Sequence, residues 1–124
     1  MTLPAELPVL DRAEALRRAG GDERLCCELV GVFLRDVPRL TDLVSTAIAQ
    51  RSAKKLRIAA HSLRGSASTV GALAVAGRAL ILETMGQGND LQDAVQQQQL
   101  LAEDLRQLSL VLNSMAPCAT PASK

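Results

Sequence analysis

Apolar residues recur three or four positions apart along most of the 124-residue chain, and this spacing limits its fold more than any other feature. One example is the series Leu40, Leu43, Val44, Ala47 and Ile48. Such spacing places apolar side chains along one face of a helix. No segment alternates apolar and polar residues for long enough to predict a strand. The pattern therefore predicts an all-α fold.

The composition agrees with helix-on-helix packing in one domain. The chain is 48% hydrophobic but only 1% aromatic, so its core must be built from Leu, Val, Ile and Ala. A length of 124 residues suits a single domain with one core. The formal net charge of +1 gives no field that would attract nucleic acid or an anionic membrane. The scarcity of aromatic rings also removes the stacking platforms of single-strand binders.

Turn and capping signals divide the chain into helices. The predicted helices cover about Asp11–Ala19, a segment that starts after the N-cap Asp22, a segment that starts at Pro38, about Ala53–Thr69, about Ala72–Met85 and about Asp90–Asn113. The sequence Asp36-Val37-Pro38 is expected to break or redirect the chain. We expect an antiparallel four-helix bundle, residues 10–114, with one or two short accessory helices at its N-terminal end. Residues 1–9 are expected to form an irregular arm and 115–124 a disordered tail.

Two of these helices have a predicted core face that the structure can test. The face of the helix after Asp22 is expected to comprise Leu25, Leu29, Val32 and Phe33. The face of the last helix is expected to comprise Leu91, Ala94, Val95, Leu101, Leu105, Leu108 and Leu112, interrupted at Gln98.

The cysteines and the N-terminus indicate a cytoplasmic protein. Cys26, Cys27 and Cys118 are odd in number and two are adjacent, which makes a poor disulfide framework and favours a reducing compartment. The first ten residues, MTLPAELPVL, lack the basic region of a signal peptide. No apolar run reaches the roughly 18 residues of a membrane helix.

The chain's only histidine, His61, lies in the run IAAHSLRGSASTVGA, residues 58–72. On a helical wheel the core face lies roughly opposite it and comprises Leu56, Ala60, Leu63, Ala67 and Val70. The residues around it are Lys54, Arg57, Arg64, Gly65 and Ser68. A neutral imidazole is a nucleophile, the cations would attract an anion, and Gly65 would admit a second surface. Phosphoryl transfer has these requirements. An incidental histidine on a solvated basic face is the alternative.

Glu83 is a candidate partner of His61, because the two residues lie at comparable distances on either side of Gly71. If the chain reverses at residues 70–72, the next helix brings Glu83 beside His61. A carboxylate that accepts from one ring nitrogen fixes the tautomer and leaves the other nitrogen free to attack. The alternatives are an ordinary exposed glutamate or a salt bridge with Arg57 or Arg64.

The sequence AAHSLRGSASTVGA, followed by Val75, Ala79 and Leu82-Glu83, resembles the histidine phosphotransfer (HPt) domains of bacterial multistep phosphorelays. Their pattern is roughly A-H-x-L-K-G-S-x-x-x-x-G-A, then L-x-x-x-C-x-x-L-E. The preceding GGDERLCCELVGVFLRDVPRL resembles the helix that comes before the phosphorylated one. The resemblance covers about residues 10 to 112. Val75 replaces the family's Leu and Ala79 its Cys, and both are conservative changes in the core.

The resemblance implies a role for each matching residue. His61 corresponds to the residue that is phosphorylated at its outer ring nitrogen, and Arg64 stands where lysine is common. Gly65 corresponds to the residue that admits the partner's active site. Glu83 corresponds to a polar side chain that holds the inner ring nitrogen. The expected partner-docking face is completed by Lys54, Arg57 and Ser68.

The resemblance thus implies a monomeric phosphoryl carrier that takes the group from a receiver-domain aspartate and passes it to another. It implies no intrinsic cofactor, since Mg²⁺ belongs to the receiver domain. The net charge and the lack of a long apolar run predict neither nucleic acid nor membrane as a partner. Three alternatives remain open. The first is an adaptor that binds receivers without being phosphorylated. The second is a protein with a metal site formed by His61 with Cys26, Cys27 or Cys118. The third keeps the HPt assignment but makes the chain one domain excised from a hybrid sensor kinase.

Overall fold

The computed structural model describes residues 7–113, and within them it contains five helices and no strand. The helices are α1 (Arg12–Arg18), α2 (Glu23–Ala49), α3 (Ala53–Thr69), α4 (Leu73–Gln87) and α5 (Ala94–Asn113). The all-α prediction is confirmed. The predicted tail and most of the predicted arm lie outside the described residues. No helix within the described range has the length and apolar character needed to cross a membrane.

Three helix starts are capped by the side chain that precedes them. Asp11, Asp22 and Ser52 each accept a hydrogen bond from the backbone N–H three residues later, which satisfies a donor that has no partner within the helix. The predicted N-cap role of Asp22 is therefore confirmed. Helix α4 has no side-chain cap, and the carbonyl of Pro8 instead accepts from the N–H of Ala74 at 3.0 Å.

The predicted break at Pro38 is wrong, because α2 is a single helix of 27 residues with Pro38 inside it. A proline in a helix interior costs about 3 kcal/mol, since it removes a hydrogen bond and crowds the preceding turn. Phe33 and Leu40, on either side of Pro38, are both buried in the core. Each such side chain stabilises the folded state by about 1.5–3 kcal/mol, so the burial of the two together is large enough to offset the cost of the proline.

Short turns connect α2 to α3 and α3 to α4, and each pair packs side by side. Gly71, between α3 and α4, has a φ of 73°, a left-handed conformation that glycine adopts without strain. Its carbonyl accepts a hydrogen bond from the N–H of Asp11. Helices α3 and α4 run antiparallel, with Arg57 beside Gly86 and His61 beside Glu83.

One core unites α2, α3, α4 and α5, with α5 packed mainly on α4. Several residues of the predicted faces lie in it, including Phe33, Leu101, Leu108 and Leu112. Others are exposed, contrary to prediction: Leu25, Val32, Leu43 and Val95. Helix α5 begins at Ala94 rather than Asp90. Its buried polar residue is Gln97, whose Oε1 accepts from Nη1 of Arg78 on α4 at 3.0 Å.

The cysteines differ from the expectation of a chain without disulfides. Cys26 is free and partly buried, whereas Cys27 is disulfide-bonded. The cysteine usage therefore no longer supports the inference of a reducing compartment.

Candidate functional site

His61 projects from the solvent-facing side of α3, and its side chain is 66% exposed. The opposite face of the same helix is buried in the core at Leu56, Ala60, Leu63 and Ala67, and so is Val70 just after its end. This is the orientation that the helical wheel predicts. The packing of that apolar face fixes the rotation of α3 and therefore holds the imidazole at the surface.

Glu83 comes from α4 and lies beside the imidazole, as the position of the turn predicts. Its Oε2 is 2.9 Å from Nδ1 of His61, and its side chain is only 9% exposed. A carboxylate at neutral pH can only accept a hydrogen bond, so Nδ1 must carry the proton when this bond forms. That tautomer leaves Nε2 with a free lone pair. Nε2 forms no hydrogen bond with any residue in the described part of the chain.

Arg64 also pairs with Glu83, which is one of the alternatives left open for that carboxylate. Its Nε lies 2.6 Å from Oε1 of Glu83, and its Nη2 lies 3.2 Å from Nδ1 of His61. Glu83 therefore contacts both residues, one with each oxygen. The hydrogen bond from Arg64 is the main reason why the pKa of Glu83 lies below its usual value; burial opposes the shift and His61 adds to it. Glu83 in turn raises the pKa of Arg64.

Gly65 opens a gap beside the imidazole. A Cβ placed on Gly65 would have no heavy atom within 4 Å beyond its own helix backbone. Its backbone is ordinary α-helix, so neither conformation nor packing requires a glycine here. By contrast, a Cβ on Gly86 would lie 2.7 Å from the carbonyl oxygen of Ala53 and from the nitrogen of Arg57. Gly86 is thus required for helix packing, whereas Gly65 leaves an approach to His61 unobstructed.

The remaining residues of the predicted docking face surround the site without joining its hydrogen bonds. Lys54 and Arg57 are exposed and Ser68 is partly buried. Ile58 lies one turn before His61 and is 50% exposed, and it is not among the residues of the predicted docking face. The sequence feature that could have identified Ile58 is an apolar residue on the otherwise polar face of the helix. The surface around His61 therefore combines positive charge with an exposed apolar side chain.

Within residues 7–113, no group of three histidine, cysteine or carboxylate side chains is placed to hold a metal ion. His61 contacts Glu83 and Arg64 rather than Cys26. The described residues thus do not bring together the metal site that we considered, and Cys118 lies outside them. The arrangement that they do form can present an exposed nucleophilic nitrogen on a ring whose tautomer is held by a carboxylate.

Comparison with known protein families identifies the same region of the chain. Residues 28–110, more than half of the 124, match the family model described as "Hpt domain". The matched segment contains most of α2, all of α3 and α4, and most of α5. No curated protein and no solved structure matches the chain.

Proposed function

The chain belongs to the Hpt domain family, whose members take part in histidine phosphotransfer in phosphorelays, and we propose that it carries the phosphoryl group on Nε2 of His61. The observation that supports this choice most strongly is the hydrogen bond between Nδ1 of His61 and the carboxylate of Glu83. Because a carboxylate only accepts hydrogen bonds, this contact supports a proton on the inner nitrogen and a reactive lone pair on the outer one. Hpt domains interact with receiver domains, which suits the exposed position of His61.

In the proposed reaction, Nε2 attacks the phosphorus of a receiver's aspartyl phosphate. A nitrogen–phosphorus bond forms, the phosphorus–oxygen bond breaks, and its electron pair remains on the aspartate. The ring keeps its Nδ1 proton and becomes positively charged, so the neighbouring Glu83 stabilises the product. Donation to a second receiver reverses these steps. Mg²⁺ is expected in the receiver, where it stabilises charge on the transferring oxygens.

The surface around His61 supports docking of such a partner. Gly65 leaves room for an approaching active site, and Lys54 and Arg57 provide positive charge that suits the acidic site of a receiver. Ile58 adds an exposed apolar contact. We further propose that α2 to α5 form an antiparallel four-helix bundle that keeps this surface rigid. On the basis of the phosphorelay role, and not of the cysteines, we propose that the chain acts as a monomer in the cytoplasm.

Incubation with a phosphorylated receiver domain tests the proposal. The wild-type chain should acquire a phosphate that is labile in acid and stable in base, as expected of phosphohistidine. The variant His61→Gln should bind the receiver equally well and remain unlabelled. Equal labelling of that variant would exclude His61 as the acceptor. Binding of the wild-type chain without any labelling would favour the adaptor alternative.

A further inference from the structure

Nδ1 of His61 faces two side chains of opposite hydrogen-bonding character. Oε2 of Glu83, from α4, lies at 2.9 Å, and Nη2 of Arg64, from α3, lies at 3.2 Å. Within residues 7–113 these are the only charged groups that hydrogen-bond the ring. Arg57 and Lys54 lie on the same face of α3 and form no hydrogen bond with the ring.

The two contacts exclude each other in a neutral imidazole. A carboxylate only accepts hydrogen bonds and a guanidinium only donates them. The bond to Glu83 therefore requires a proton on Nδ1, whereas the bond from Arg64 requires a bare Nδ1 and places the ring proton on Nε2. A ring with its proton on Nε2 has no free lone pair there.

Arg64 can make its contact with the ring without releasing the carboxylate. Its Nε holds Oε1 of Glu83 at 2.6 Å while its Nη2 approaches the imidazole. This needs two donor nitrogens at a fixed separation, which the planar guanidinium provides. The ammonium of a lysine has three N–H donors, but all three are on one nitrogen. The substitution of arginine for the lysine common in the pattern is therefore significant for this site.

We propose that Arg64 is a positioning residue that competes with Glu83 for Nδ1 and so sets the fraction of His61 that is ready to accept a phosphoryl group. When Arg64 is absent, Nδ1 loses the only donor that residues 7–113 offer it. Glu83, with its side chain 9% exposed, then has Nδ1–H as its only donor among the described residues. Both effects favour the Nδ1–H tautomer. Removal of Arg64 should therefore increase this tautomer rather than decrease it.

The same competition bears on release of the group, and this part rests on the proposed function. When the nitrogen–phosphorus bond breaks, its electron pair returns to Nε2. If Nδ1 carries a proton, the ring leaves as neutral imidazole. If Nδ1 instead accepts from Arg64, the ring would have to leave as an anion, which is a poor leaving group. Arg64 thus favours retention of the phosphoryl group and Glu83 favours its transfer.

The tautomer ratio is measured by ¹⁵N NMR of the two imidazole nitrogens, on the unphosphorylated chain in mildly alkaline buffer. Arg64→Met should raise the ratio of Nδ1–H to Nε2–H by about threefold or more, as expected for loss of one hydrogen bond. Arg64→Lys should shift it in the same direction, and Glu83→Gln in the opposite one. Arg57→Met removes a nearby cation that does not hydrogen-bond the ring, and should leave the ratio unchanged.

An unchanged or lower ratio in Arg64→Met would overturn the proposal, as would a wild-type ratio in Arg64→Lys. A change in Arg57→Met equal to that in Arg64→Met would show that general charge, not the contact, sets the tautomer, and would also overturn it.

The second measurement is the lifetime of phosphohistidine after labelling with phosphoramidate, a small phosphoryl donor. Arg64→Met should shorten the lifetime relative to wild type and to Arg57→Met, and a longer lifetime would overturn the role in retention. If no variant accepts a phosphoryl group from phosphoramidate or from a receiver, the proposed function fails and so does the role in retention. The role in tautomer selection is decided by the NMR ratios alone.

Discussion

Gly65 and Gly86 allow the proposed access role to be tested against helix stability, because the same substitution should have opposite effects at the two sites. Gly65→Ala adds a Cβ that contacts nothing within 4 Å beyond its own helix. Alanine favours a helix interior over glycine by up to about 1 kcal/mol, so the free energy of unfolding should rise by nearly that amount. For a domain of this size the midpoint temperature should rise by about 4 °C.

Gly86→Ala is the matched control. Its Cβ would lie 2.7 Å from two backbone atoms of α3, and backbone atoms cannot move aside as a flexible side chain can. Forcing α3 and α4 apart should lower the free energy of unfolding by about 1–3 kcal/mol. Urea titration followed by circular dichroism measures both variants.

Gly65→Gln then separates access from stability. Glutamine also favours a helix more than glycine does, so this variant should fold at least as stably as wild type. Its side chain would stand beside His61, in the space a receiver must enter, and the rate of phosphotransfer should fall steeply. Transfer at the wild-type rate would refute the assignment of Gly65 as an access residue. Loss of stability in Gly65→Ala would show that the space beside this residue is not open.

Three further predictions concern the core, the buried carboxylate and the proline. Leu63→Asp should destabilise the fold by several kcal/mol, since it buries an unpaired charge, whereas Ser68→Asp should not. Equal melting temperatures of the two variants would show that α3 is rotated differently. Glu83 has a lowered pKa in the folded state, so the stability it contributes is present above its unfolded pKa and is lost as the pH falls through the folded one. When the free energy of unfolding is measured by urea titration at decreasing pH, wild type should therefore lose more stability than Glu83→Gln. Parallel plots of this free energy against pH would contradict the prediction. Pro38→Ala restores a helical N–H and should stabilise the chain by about 1–2 kcal/mol in thermal unfolding. A midpoint temperature below that of wild type would indicate that the stability of α2 depends on its proline.

Local features of the sequence were sufficient to predict most helix boundaries and the orientation of α3. Caps such as Asp22 and Ser52 act within one helical turn, and a glycine with positive φ ends the segment at Gly71. The apolar spacing of α3 is regular enough to place His61 opposite the core. The short turn at residues 70–72 then leaves little choice of register, so Glu83 could be placed beside His61 by counting alone.

Tertiary packing decided the features that local sequence signals could not predict. The break predicted at Pro38 did not occur, and Phe33 and Leu40 are buried on either side of it, so their combined burial is large enough to offset the local cost of the proline. Val95 fits the period of α5 yet is exposed, since α5 packs mainly on α4 and buries a narrower face than its apolar residues would allow.

The contact of Arg64 with both Glu83 and Nδ1 was likewise decided by tertiary packing. Spacing along α3 places its side chain near the site, but the choice between facing an incoming anion and pairing with a carboxylate depends on how closely α4 approaches. Gly86 permits that approach, because it brings the backbones of α3 and α4 together without a side chain between them. Helical period and turn length therefore determined which residues meet, and the close packing of the two helices decided how they share hydrogen bonds.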